Sequence, residues 1–193
     1  ELLEEFNKKI IIINDDVLQI NEKKLSDSPL IVFGNLPYNI STQVLVKWIK
    51  FNELNKTFKK FILMFQKEVA ERIVANTNSR NYGRLSILTS WKMNVKKIID
   101  VSPNSFFPVP KVKSTVLLIE PKTNFFKIKD PKNLEHITNV FFNQRRKMIK
   151  KPLKFLFNDF EKVADELSLD LNLRPQNLTR LTYYKLCSYY EKS

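Results

Sequence analysis

The apolar runs "KIIII" (Lys9–Ile13), "LIVF" (Leu30–Phe33) and "FILMF" (Phe61–Phe65) constrain the fold of this 193-residue chain more than any other feature. Each is short, continuous and rich in β-branched or aromatic residues, which predicts parallel strands covered on both faces. Between the second and third lies "STQVLVKWIKF", where Val44, Leu45, Trp48 and Ile49 recur at helical spacing and Ser41 or Thr42 stands where a cap belongs. A strand, a crossover helix and a second parallel strand make an α/β unit.

Further along, "QKEVAERIVA" and "RLSILTSWKM" predict two more helices, and "VKKIIDV" and "KSTVLLIEP" predict two strands. The proline-punctuated loop "SPNSFFPVPK" between those strands suggests an antiparallel pair at a sheet edge. The segment "PKTNFFKIKDPKN" breaks the pattern, and only helical periodicity follows it, as in "LEHITNVFF" and "FEKVADELSL". The expected division is therefore 1–124 as an α/β domain and 125–193 as a small, all-helical one.

Composition narrows the chemistry. Cys187 and His136 are the sole cysteine and histidine, which excludes disulfide frameworks, Cys/His zinc sites and any catalytic pair of histidines, so no metal site is expected. The formal charge of +13 is spread over both parts and favours a polyanionic partner. Nucleic acid ranks ahead of a membrane surface because no amphipathic anchor is evident, although simple solubility explains such a charge nearly as well. The apolar runs are too short to cross a bilayer and no signal sequence stands at the start, so a cytoplasmic location is expected. Gly34 and Gly83 are the only glycines, which leaves no G-x-G cofactor turn in the chain. With the helix-like "ELLEEF" at the start and no strand before it, this leads to the expectation of an N-terminally truncated form.

In open parallel sheets ligands gather at the carboxyl ends of strands, and "NLPY", Asn35 to Tyr38, follows "LIVFG" there. Pro37 fixes its own φ and holds Leu36 out of helical geometry, which directs loop carbonyls toward a cleft. Asn35 adds a neutral amide and Tyr38 a flat aromatic face. Together they suit the grip on the amino group of a planar base: amide and carbonyl oxygens accept its N–H bonds, while the ring stacks on a base that has left its own stack. As isolated residue types they also fit an ordinary strand-to-helix turn. Asp16 reads either as a surface turn residue or as an acceptor for a bound cofactor. Phe106 and Phe107 read as core or as stacking platforms on a loop. "NQRRKMIKKPLK", residues 143–154, has six basic residues and no acid, and reads as a solvated helix face or a phosphate-binding one.

Taken together, "FGNLPYNIST", "FQKEVAERIVANTNSRNYGRLS", "SFFPVPKVKSTV" and "FNQRRKMI" resemble, in order and spacing, the KsgA-type ribosomal RNA adenine dimethyltransferase family. The resemblance implies a Rossmann-like class I methyltransferase sheet, N-terminally incomplete here, plus a helical C-terminal domain. It implies S-adenosyl-L-methionine as methyl donor, 16S ribosomal RNA in the immature 30S subunit as partner, two adjacent N6,N6-dimethyladenosines as product, and a monomer. Residue by residue, Asn35 would contact cofactor and target amine, with Leu36 and Pro37 supplying loop backbone. Tyr38 and Phe106 would sandwich the flipped adenine. Asp16 would bind the cofactor adenine beside Val17, Arg145, Arg146 and Lys147 would hold RNA backbone, and Arg84 would help near the cleft. The family's glycine-rich cofactor loop and ribose-binding acid should precede Glu1, so this chain alone is expected to bind cofactor poorly. Rival expectations are an Erm-type large-subunit methyltransferase and a non-catalytic RNA-binding assembly module.

Overall fold

The computed structural model describes residues 10–192, so "ELLEEF" and Lys9 lie outside the described residues. It holds a four-stranded sheet with strands β1 (Leu30–Asn35), β2 (Phe58–Gln66), β3 (Met93–Val101) and β4 (Ser114–Pro121) in the order β1-β2-β4-β3. β1 and β2 are parallel, and β4 runs antiparallel to both β2 and β3. The crossover between β1 and β2 carries helices α1 (Ser41–Ile49) and α2 (Leu54–Thr57). Helices α3 (Lys67–Val74) and α4 (Arg84–Lys92) connect β2 to β3. The expected strand, helix, strand unit and the antiparallel edge pair are both present.

The α1 stripe packs as its spacing predicts. Val44, Leu45, Trp48 and Ile49 are buried, and the Trp48 ring stacks on Phe61 of β2 with centroids 5.0 Å apart. The cap differs from expectation: Ile40 precedes the helix, and the Ser41 hydroxyl donates back to the Tyr38 carbonyl at 3.2 Å. The turn itself satisfies part of the helix start, because the Pro37 carbonyl accepts from the Ile40 and Ser41 N–H groups.

Two strand expectations are corrected. Ile10–Ile13 form no ladder and stay exposed, with Ile11 at 86%. A strand needs a neighbour for its backbone groups, and no described strand pairs with this segment. β1 is covered on one face only; Ile31 and Phe33 point outward, the latter 75% exposed, while Leu30 and Val32 pack against the core. Its register places Gly34 opposite Leu63, and a Cβ at Gly34 would come within 2.9 Å of the Leu63 side chain. A side chain at Gly34 would require the buried Leu63 side chain to shift.

Beyond the sheet the chain is helical: α5 (Pro131–Asn143), α6 (Lys150–Leu156), α7 (Phe160–Glu166) and α8 (Arg180–Tyr190). This layer shares one core with the sheet and its helices, from Val44 through Leu186. Polar pins cross the seam. The Tyr82 hydroxyl donates to the Leu178 carbonyl, the Tyr184 hydroxyl to that of Ile87, and the Trp91 indole N–H to that of Phe126. Burial pushes the phenols of Tyr82 and Tyr184 up to about 12.

Candidate active site

Three chain segments converge at one end of the sheet. β1 ends at Asn35 opposite Met64, β2 ends at Gln66 opposite Ser114, and β3 ends at Val101 opposite the same Ser114. The loop Asn35–Tyr38 and the β3–β4 loop, residues 102–113, therefore project from the same end, the carboxyl end of the parallel pair. The Asn35 side chain is exposed there and Tyr38 is half-buried. A hydrogen bond of 2.6 Å joins the Tyr38 hydroxyl to the Ser114 hydroxyl, which is buried at the first residue of β4. The ring is thus held by its tip. Phe106 is half-buried on the second loop, after a 3-10 turn at Pro103–Ser105.

Of the loop carbonyls, that of Pro37 is committed to the start of α1. Close by, Asp100 accepts from Lys97 Nζ and from the Thr115 hydroxyl, both at 2.7 Å, with Lys67 Nζ at 3.7 Å. Those hydrogen bonds hold its carboxyl down at about 2, so it stays ionised and engaged rather than free to take a proton.

Asp16 and Val17 lie in a turn tied to α1. Asp16 is exposed, and its Oδ1 accepts from the Leu18 N–H at 2.9 Å. The Val17 carbonyl accepts from Lys47 Nζ at 2.8 Å, so its N–H is the backbone group it can offer. Lys47 also donates to the Ile20 carbonyl and to Glu22, whose carboxylate accepts from the Trp48 indole as well. This hub fixes the Asp16 turn on α1; nothing in the local pattern around Lys47 or Glu22 signals it.

The four basic candidates separate. Arg84 is exposed at the start of α4, and with Arg145 it lines a cleft of about 1360 Å³ between α1, α3, α4 and α5. Arg145 is also a clamp, its guanidinium donating to the Arg80 carbonyl at 2.5 Å and to that of Ser79 at 3.4 Å. Arg146 and Lys147 are exposed on a different groove of about 470 Å³, shared with Lys150, Lys151 and Lys154. No cluster of three metal-ligating side chains occurs among the described residues, and none of their helices is long and apolar enough to cross a membrane.

A family model described as ribosomal RNA adenine dimethylase matches residues 1–192. The chain is 58% identical over 190 residues to the ribosomal RNA small subunit methyltransferase A of Pelagibacter ubique (strain HTCC1062), covering 98% of this chain and 72% of that protein. To the same-named protein of Ehrlichia canis (strain Jake) it is 40% identical, covering 97% and 71%. The fold matches a crystal structure of a dimethyladenosine transferase from Plasmodium falciparum with a TM-score of 0.76 at 25% identity, covering 98% of this chain and 75% of that one. A crystal structure of the 23S rRNA methyltransferase ErmE matches at 0.64 and 18% identity over 97% of this chain and 76% of that one, a likeness of fold. The mixed α/β sheet is the Rossmann-like sheet of methyltransferases, and the chain belongs to the ribosomal RNA adenine dimethylase family.

Proposed function

We propose that this protein transfers methyl groups from S-adenosyl-L-methionine to the N6 amines of two adjacent adenosines in 16S ribosomal RNA, on immature 30S subunits in the cytoplasm, and that it acts as a monomer. One observation carries the reading: an exposed Asn35 at a strand end, beside a Tyr38 whose hydroxyl is anchored on Ser114. The residues present suit the cofactor. Asp16 has a second carboxylate oxygen for an adenine amine, Val17 an N–H beside it, and Asn35 an amide for the amino-acid end. When bound, S-adenosylmethionine supplies the electrophilic methyl group.

The chain's own residues prepare the nucleophile. An adenine amine is weakly nucleophilic because its lone pair is delocalised into the ring. Asn35 Oδ1 and the Leu36 carbonyl accept its N–H bonds and orient the lone pair, Pro37 sets the loop, and Tyr38 and Phe106 take the two faces of the base. The methylated amine sheds its proton to water, so the engaged state of Asp100 is no obstacle. Residues 1–124 form the catalytic part and 125–193 the RNA-binding part, with Arg84, Arg146 and Lys147 on phosphates and Arg145 chiefly holding the 79–80 backbone.

A second reading, an assembly role independent of transfer, is favoured by the basic groove around Lys147, which shares no lining residue with the Asn35 loop. Incubation of the full-length protein with immature 30S subunits and S-adenosylmethionine, followed by mass spectrometry of the RNA, tests the main reading. Dimethyladenosine is expected, and its absence refutes it.

A further inference from the structure

The β3–β4 loop presents a second aromatic that the adenine grip does not use. Phe107 is 100% exposed, whereas its neighbour Phe106 is half-buried on an extended backbone with φ −125° and ψ 151°. Successive side chains on extended backbone leave on opposite sides, so the inward placement of Phe106 turns Phe107 out. Pro103, Pro108 and Pro110 stiffen the loop, and a ring held out in advance loses little freedom on binding.

The surroundings select the partner. No acidic residue occurs between Asp100 and Glu120, and Asp100 is neutralised by Lys97 and Lys67. Lys111 and Lys113 are exposed on the same loop, as are Val112 between them and Val109 just before. A projecting flat ring among cations fits a nucleobase on a phosphate chain better than an apolar protein surface.

We propose that Phe107 stacks on the nucleobase adjacent to the target adenosine, filling the place in the stack that the flipped base vacates. This rests on the reading of Asn35, Tyr38 and Phe106 as the target site. A base leaving its stack strips one face from its neighbour as well as losing its own contacts. Tyr38 and Phe106 replace the contacts of the flipped base; Phe107, one residue on and facing the other way, replaces that of the neighbour.

The test uses a hairpin RNA whose loop carries one adenosine with 2-aminopurine as its 3′ neighbour, a base that fluoresces when unstacked. With the unsubstituted protein the probe stays quenched on binding. With Phe107→Ala it brightens, and KM for methylation of the adenosine rises roughly tenfold with kcat little changed. Phe107→Trp restores both readouts, and all three proteins melt alike because the ring touches nothing in the fold. A Phe107→Ala protein matching its parent in fluorescence and KM overturns the assignment of Phe107 alone. A parent protein that methylates neither this RNA nor 30S particles overturns the functional reading, and this inference with it.

Discussion

At the scale of single residues the proposed chemistry rests on Asn35, whose amide oxygen would aim the adenine lone pair. Asn35→Ala is expected to lower kcat by about 100-fold or more through lost orientation, while binding to 30S particles persists; equal loss of both would assign Asn35 to folding instead. The position of Asn35 and Tyr38 at a strand end was legible in the sequence, whereas their proposed roles come from the family resemblance, since the residue types alone also fit an ordinary turn. Ser114 was not legible, because the Tyr38 contact spans 76 residues and a serine at a strand start has no local signature. Lys47 was hidden for the same reason: its three partners, at Val17, Ile20 and Glu22, lie in the segment that precedes β1. Arg145 shows the converse. Read with Arg146 and Lys147 as one basic cluster, it separates from them because a half-buried guanidinium finds backbone carbonyls before it finds solvent.

Elements were easier to read than their surroundings. All four described strands and the helices α1, α3 and α4 follow from period and punctuation, since these report on local geometry. Coverage does not follow from period. "LIVF" has the composition of a strand buried on both faces, yet β1 is the edge of the described sheet and carries Phe33 outward. "IIII" has the composition of a strand and, lacking a partner ladder, is none. The β3–β4 hairpin that carries Phe106 has its own brace in Asp100, bound across strands to Thr115 and along β3 to Lys97. A carboxyl held below its ordinary 3.8 at about 2 adds stability above pH 3.8 that is lost as pH falls toward 2. Asp100→Asn should therefore flatten the decline in melting temperature between pH 4 and pH 2. The effect is small and weakens with added salt, because the carboxylate is 37% exposed; an unaltered acid limb would show that the hairpin holds without the brace.

For the molecule as a whole, charge and seam divide the work. A charge of +13 favours a polyanionic partner without saying where it would lie; the fold gathers Arg146, Lys147, Lys150, Lys151 and Lys154 on one groove, the place proposed for it. Changing Arg146 and Lys147 together to Ala should weaken particle binding and reduce the slope of log affinity against log salt by roughly 1.5 to 2, as fewer counterions are released. A slope equal to the parent's would make that groove a solvated face. The seam between sheet and helices also equips the protein for observation. Trp48 and Trp91 are its two tryptophans; one is wedged between α1 and the sheet, the other donates across to the helical layer at Phe126. Each single Trp→Phe variant thus leaves one tryptophan in one interface, and coincident or separated melting curves from the pair, read by selective tryptophan excitation, would tell whether sheet and helices come apart together.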